Sequence, residues 1–190
     1  LIPFNIDEKD SLYVIDLYDS KNNHSISSVS KRLKKNGLKV KFFQYDDSDS
    51  KRYMKLILSE IPKNARILIN AFINPKASKN QIFFSEFHSE FIEKIIEKSN
   101  RVTMASLGSP YLIQQFKDIP AYICAYKNSD LMQHALAEAL LGKKKISGTL
   151  PISIPNIASF GQGLIIKKSE ERRSKTKIYK SGEKIIKIRP

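Results

Sequence analysis

A chain of 190 residues, 41% of them hydrophobic, is long enough for one domain with a sizeable core and an appendage. No apolar run reaches membrane-spanning length, and a single cysteine, Cys124, excludes an internal disulfide framework. The formal net charge is +14, and half of it, +7, falls after residue 163, where ten Lys or Arg stand against three Asp or Glu.

Residues 1–10 read as an extended linker from something upstream, and Leu1 in place of an initiator Met suggests a piece of a longer polypeptide without a visible signal peptide. Residues 11–17 (SLYVIDL) form a mostly apolar run between polar neighbours, which predicts a buried strand. A helix over about 25–36 follows, with Ile26, Val29 and Leu33 on its inward face and Gly37 closing it. Residues 38–44 alternate with Lys on one side and predict a strand near the sheet edge. Asp49 or Ser50 can cap a helix reaching Ser59, with Tyr53, Leu56 and Ile57 turned inward and Pro62 stopping it. Residues 65–73 (ARILINAFI) are almost wholly apolar and belong at the sheet centre. A loop over 74–80 precedes an amphipathic helix over 84–98, with Phe84, Phe87, Phe91 and Ile95 in line and Ile92 and Ile96 widening the stripe.

The organising stretch is 101–155. A β-type run over 102–107 ends in Gly108-Ser109-Pro110, and a short helix and a second β-type run over 121–126 follow. A longer helix closed by Gly142 and a short strand between Pro151 and Pro155 complete it. Alternating strands and helices predict a three-layer α/β/α sandwich with a mostly parallel sheet, flavodoxin-like in outline. The expected division is a linker over 1–10, a sandwich over 11–160 and a basic extension over 161–190, where residues 163–167 and 183–188 suggest a hairpin.

In open sheets of this kind ligands sit beyond the carboxyl ends of the strands. Those ends carry Asp19 and Ser20, Asp46 and Asp47, Asn74, and Ser106 to Ser109. The turn Ser106-Leu107-Gly108-Ser109-Pro110 leads a strand into a helix with Pro near the first helical position. Its N–H groups suit an oxyanion or a sugar hydroxyl; equally, a tight βα turn needs Gly and Pro for geometry alone. Asn74, Ser106, Gly108 and Ser109 are therefore the candidate rim residues.

Other chemistry is missing from the pattern. The chain lacks a P-loop, GxGxxG, HExxH, CxxC and GxSxG. His24, His88 and His134 are far apart, and the helical positions of His88 and His134 predict partly exposed or capping roles. Ser-x-x-Lys at Ser28, Ser48 and Ser174 lacks its companion motifs, and Asp46–Asp47 reads as a solvated turn rather than an acid–base pair. Asn23-His24-Ser25 matches a glycosylation acceptor, which matters only in a eukaryotic secretory protein. Cys124 inside an apolar strand reads as a buried, inert thiol. Nothing calls for a metal or cofactor.

Four ordered blocks carry a resemblance. They are Ser106-Leu107-Gly108-Ser109-Pro110-Tyr111; Ala121-Tyr122-Ile123-Cys124-Ala125-Tyr126; Gln133 with Ala135-Leu136-Ala137-Glu138-Ala139-Leu140-Leu141-Gly142; and Gly148-Thr149-Leu150-Pro151-Ile152-Ser153-Ile154-Pro155. Together residues 101–163 resemble the C-terminal α/β sandwich domain of family-3 glycoside hydrolases, nearest to the two-domain bacterial β-N-acetylglucosaminidases.

The resemblance implies an upstream catalytic barrel of the same polypeptide, holding an Asp nucleophile and, in the N-acetylglucosaminidase branch, a His–Asp acid/base. Neither motif is present in this chain, and Glu86, Glu90, Glu93, Glu97 and Glu138 all fall within helices, so none matches the acid that the glucosidase branch can place in this domain. A retaining glycosidase needs two carboxylates, or their equivalents, across one bond. The implied role is non-catalytic support of the barrel, sharing its glycan substrate, in a periplasmic or cell-envelope setting.

A rival expectation is a stand-alone module that binds a glycan or nucleic acid through the basic tail. Nucleic acid is disfavoured, because aromatic residues do not interleave with the charges as base stacking requires. A flavodoxin-like regulatory domain fits the topology but lacks a phosphate-cradling loop after its first strand.

Overall fold

The computed structural model describes residues 2–4, 10–19, 26–46, 48–73 and 83–169, together with the backbone of 179–181 and 184–186. In chain order the elements are β1 (Leu12–Tyr18), α1 (Ser28–Lys35), β2 (Val40–Tyr45), α2 (Lys51–Glu60), β3 (Arg66–Phe72), α3 (Glu86–Lys98), β4 (Val102–Ser106), a 3-10 helix (Pro110–Gln114), β5 (Ala121–Cys124) and α4 (Asp130–Leu140). β1 to β5 form one sheet, order β2-β1-β3-β4-β5, with every neighbouring pair parallel. This is the expected α/β sandwich, with β2 at an edge and β3 at the centre.

The pleat sorts the apolar residues into two layers. Tyr13, Ile15 and Leu17 of β1, with Ile67, Ile69 and Ala71 of β3, pack against Met54 and Ile57 of α2 and Phe91, Ile92 and Ile95 of α3. Their alternates, Leu12, Val14, Leu68 and Phe72, pack against Val29 and Leu33 of α1 and Leu136, Ala137 and Leu140 of α4. Both central strands are buried along their whole length, as helices on both faces of a parallel sheet require. Phe4 joins the second layer, and its N–H donates to the Leu140 carbonyl at 2.7 Å.

Local chemistry sets the helix ends. The hydroxyls of Ser27, Ser50 and Ser129 accept from the N–H groups of Ser30, Tyr53 and Met132, capping α1, α2 and α4. Gly142 takes a φ of 71° just past α4, the left-handed position that glycine occupies without penalty.

Several expectations need correction. Ile26 is 45% exposed, because α1 begins only after the Ser27 cap and leaves Ile26 off its inward face. Leu56 is 54% exposed, and Met54, at 1%, takes the inward place beside Ile57. Residues 151–155 do not form a strand; Ile154 makes one antiparallel bridge to Ala158. In the tail, β6 (Tyr179–Ser181) pairs antiparallel with β7 (Lys184–Ile186), whereas Ile166 pairs with Ile146 instead of with the last strand.

Gly108 sits where two strand ends converge. A Cβ there would lie 1.8 Å from the Ile73 carbonyl oxygen, a backbone atom that cannot swing aside. Gly108→Ala is therefore expected to destabilise the fold by about 1–3 kcal/mol, read as a lowered midpoint in urea unfolding.

Candidate functional site

Parallel strands place all five carboxyl ends on one edge, and the strand order reverses between β1 and β3. That reversal opens the crevice where ligands of such folds bind. Here it is lined by aromatic rings: Tyr18 stacks on Phe72 with centroids 4.6 Å apart, and the Asp19 N–H donates to the Phe72 carbonyl at 3.4 Å.

Beneath the rings lies a buried polar layer. Asp16 and Asn70 are register partners on β1 and β3, and both are fully buried. The Asn70 amide donates to Asp16 Oδ1 at 2.7 Å, and the Ser27 N–H donates to Oδ2 at 3.1 Å. The carboxylate thus meets the positive end of α1. Next along, the Ser28 N–H donates to Gln133 Oε1 at 2.7 Å and the Ser28 hydroxyl to Asp130 Oδ1 at 2.9 Å. The layer thereby ties the starts of α1 and α4 together. Burial foremost, then the Asp16 charge, pushes the Tyr18 hydroxyl well above the usual phenol value, so it stays protonated.

The turn after β4 is held from within. The Ser106 hydroxyl donates to the Ser109 carbonyl at 2.7 Å, and the Tyr122 hydroxyl approaches the Ser109 and Pro110 carbonyls at 3.5 and 3.3 Å. Ser109 Oγ accepts from the Tyr111 N–H at 3.3 Å. Ser106 and Ser109 are buried, and the turn packs on Ile73 through Gly108. Ser106, Gly108 and Ser109 therefore come together at the carboxyl edge, and Asn74 lies outside the described residues. The acidic turn after β2 also folds on itself: Asp46 Oδ1 accepts from the Ser48 N–H and hydroxyl, and Asp49 Oδ2 from the Asp46 N–H.

His88 contradicts its expected exposure. It is fully buried, stacked on Phe84 at 4.9 Å and edge-on to Tyr45 at 5.7 Å, with Nδ1 2.9 Å from the Ser85 hydroxyl. The aromatic pattern of α3 widens its buried stripe enough to take in the imidazole. Among the described residues, no group of three or more His, Cys, Asp or Glu is placed to hold a metal ion.

A groove of about 540 Å³ lies between β5 and α4, lined by Ile123, Met132, Ala135, Leu136 and Ile146 among others. Cys124 opens onto it half-buried, and burial pushes its thiol up to about 11.

Residues 54–185 match the sequence model of the glycosyl hydrolase family 3 C-terminal domain. The chain belongs to this family. Three solved structures show the same fold. A multi-domain fungal β-N-acetylglucosaminidase superposes with a TM-score of 0.61 at 16% identity, over 85% of this chain and 18% of its own. A β-glucoside phosphorylase gives 0.58 at 15%, over 76% and 26%. A family-3 β-N-acetylglucosaminidase from Paenibacillus sp. str. FPU-7 gives 0.57 at 19%, over 75% and 27%. The chain therefore spans only 18–27% of the length of these proteins. No curated protein matches it by sequence.

Asp16 and Asn70 are the residues that pattern reading of this family-3 domain passed over. The available signal was a lone polar residue inside each of the two most apolar strands, SLYVIDL and ARILINAFI. Asp16→Ala leaves the Asn70 amide and the Ser27 N–H without their acceptor and is expected to cost about 3 kcal/mol in urea unfolding. Cys124 is expected to react with a disulfide reagent at pH 8 on the order of a hundredfold more slowly than a free thiol. The rate should climb as pH rises toward 11, because the thiolate fraction sets it.

Proposed function

We propose that this family-3 domain is the non-catalytic C-terminal partner of a glycosidase barrel on the same polypeptide, in an enzyme that removes terminal β-linked N-acetylglucosamine. The observation that carries this role is how the carboxyl-edge polar groups are used. Both oxygens of Asp16, the Ser106 hydroxyl and the Asp46–Asp49 turn are all committed to holding strands, turns and helix starts together. Side chains engaged in this way hold the edge in shape. The limited share of each multi-domain neighbour that the chain covers supports a partner domain that performs the chemistry. The choice of N-acetylglucosamine over glucose rests on the four sequence blocks between residues 106 and 155, since the neighbours include both β-N-acetylglucosaminidases and β-glucoside-acting enzymes.

The edge has one feature suited to the rim of a sugar site. Within the described residues, the N–H groups of Gly108 and Ser109 make no hydrogen bond, although the turn around them is rigid. With Asn74 they form the proposed rim, donating to a sugar hydroxyl that the barrel presents.

The isolated chain is expected to release no 4-nitrophenol from the chromogenic N-acetyl-β-glucosaminide above the buffer rate. Clear turnover by the isolated chain would overturn the non-catalytic role. In the parent enzyme, Asn74→Ala is expected to raise KM by roughly threefold or more with kcat nearly unchanged, the signature of lost uniform binding.

A further inference from the structure

The edge strand β5 runs into a strained turn. Among the described residues, the non-glycine positions with a positive φ are Asn64 at 57°, Asn156 at 62° and Tyr126 at 60°. Asparagine enters this region readily, because its short amide bonds to the nearby backbone. A bulky aromatic residue does not, and its presence there stores strain. The Lys127 N–H donates to the Ala125 carbonyl at 2.7 Å, so Tyr126 is the central residue of a γ-turn of the rare kind with positive φ. The chain before the turn is anchored: Ala125 is buried, and its N–H donates to the Ser106 carbonyl at 2.8 Å.

The ring that this turn carries does not complete the core. Tyr126 is 41% exposed, whereas Tyr122 of the same strand packs against the layer that holds α2 and α3. Glycine would take the same backbone without penalty. A strained tyrosine with its ring in water, at the edge where ligands of such sheets bind, points to a role outside stability.

Its neighbours narrow that role. β4 and β5 pair in parallel with Ser106 opposite Cys124, and the same register carried two residues on sets Tyr126 alongside Gly108. The Tyr122 hydroxyl lies 3.3 Å from the Pro110 carbonyl of the same turn. Burial foremost, with the charges of Cys124 and Tyr126 added to it, pushes the Tyr122 phenol up, so the Tyr126 hydroxyl lies within electrostatic reach of that contact. An exposed aromatic face therefore adjoins the Gly108 and Ser109 N–H groups. That combination suits a pyranose, whose ring hydrogens pack on an aromatic face while a hydroxyl accepts from an N–H. We propose, on the reading of this edge as the rim of a sugar site, that Tyr126 is a substrate-binding residue, the platform on which one sugar unit of the glycan stacks beside the Gly108 and Ser109 donors.

The test is steady-state kinetics of the parent enzyme on the β-linked disaccharides of N-acetylglucosamine and of glucose, with Tyr126→Phe, Tyr126→Ala and Tyr126→Gly beside the wild type. On the disaccharide that the wild type cleaves, Tyr126→Ala is expected to raise KM by about five- to tenfold with kcat nearly unchanged. Tyr126→Phe keeps the ring and should stay within about twofold of the wild type. Tyr126→Gly should lose affinity as Tyr126→Ala does while its urea midpoint holds or rises, because glycine adopts a φ of 60° freely. An unchanged KM in Tyr126→Ala, with the wild type active, would overturn the platform and leave the supporting role of the domain standing. So would a lowered urea midpoint in Tyr126→Gly with KM unchanged, which would make the ring a packing group. A wild-type enzyme that cleaves neither disaccharide would overturn the reading of the rim, and the platform with it.

Discussion

The hydrogen bond from Asn70 to the buried Asp16 carboxylate is the contact on which the rest of the sandwich depends. β1 and β3 are covered on both faces, so a polar side chain in either is tolerable only where the fold supplies its partners. Asp16 supplies the acceptor for the Asn70 amide N–H, and Asn70 one of the donors to Asp16. A slip of one residue would send the two groups to opposite faces and leave both unpaired. The register of the central pair is therefore fixed by polar pairing as well as by the apolar pattern around it. Because the second carboxylate oxygen accepts from Ser27, the same group also sets where α1 begins.

That constraint propagates outward through adjacent contacts. Ser28, next to Ser27, joins Gln133 and Asp130 at the start of α4, so the two helices of one layer are aligned at their amino ends. On the other layer, Tyr45 and His88 sit within the aromatic cluster where α3 starts. At the carboxyl edge, Ser106 and Tyr122 lock the turn that packs through Gly108 onto the end of β3. Among the described residues of this edge, the Asp16, Ser106, Asp46 and Asp49 side chains are engaged in holding the fold, and the N–H groups of Gly108 and Ser109 make no hydrogen bond.

The irregular antiparallel ribbon after α4, over residues 142–169, follows a different logic. Its backbone bonds are internal, and while Ile154 turns into the core, Phe160, Leu164 and Ile165 face outward. The sandwich would lose little packing without Phe160, Leu164 or Ile165.

The sequence alone determined the layer architecture. The apolar run 65–73 reads as the central strand, 11–17 as a buried strand and the Lys alternation over 38–44 as a strand near an edge, and the sheet order agrees with all three. Asp49 and Ser50 are both legible as caps, of which the fold uses Ser50, and four spaced blocks carry the family resemblance. Periodicity does not fix which way an apolar residue at the margin of a stripe points: it turns Ile26 and Leu56 inward, whereas the fold leaves both exposed. Nor could it place His88, whose burial follows from rings contributed by β2 and by the start of α3.

Only the tertiary structure decided the pairing of Asp16 with Asn70, 54 positions apart, and the pairing of Ile146 with Ile166 across a turn that reads as separate pieces. A one-dimensional pattern records how often a residue type recurs. Hydrogen-bond partners from distant strands become neighbours only when the chain closes on itself.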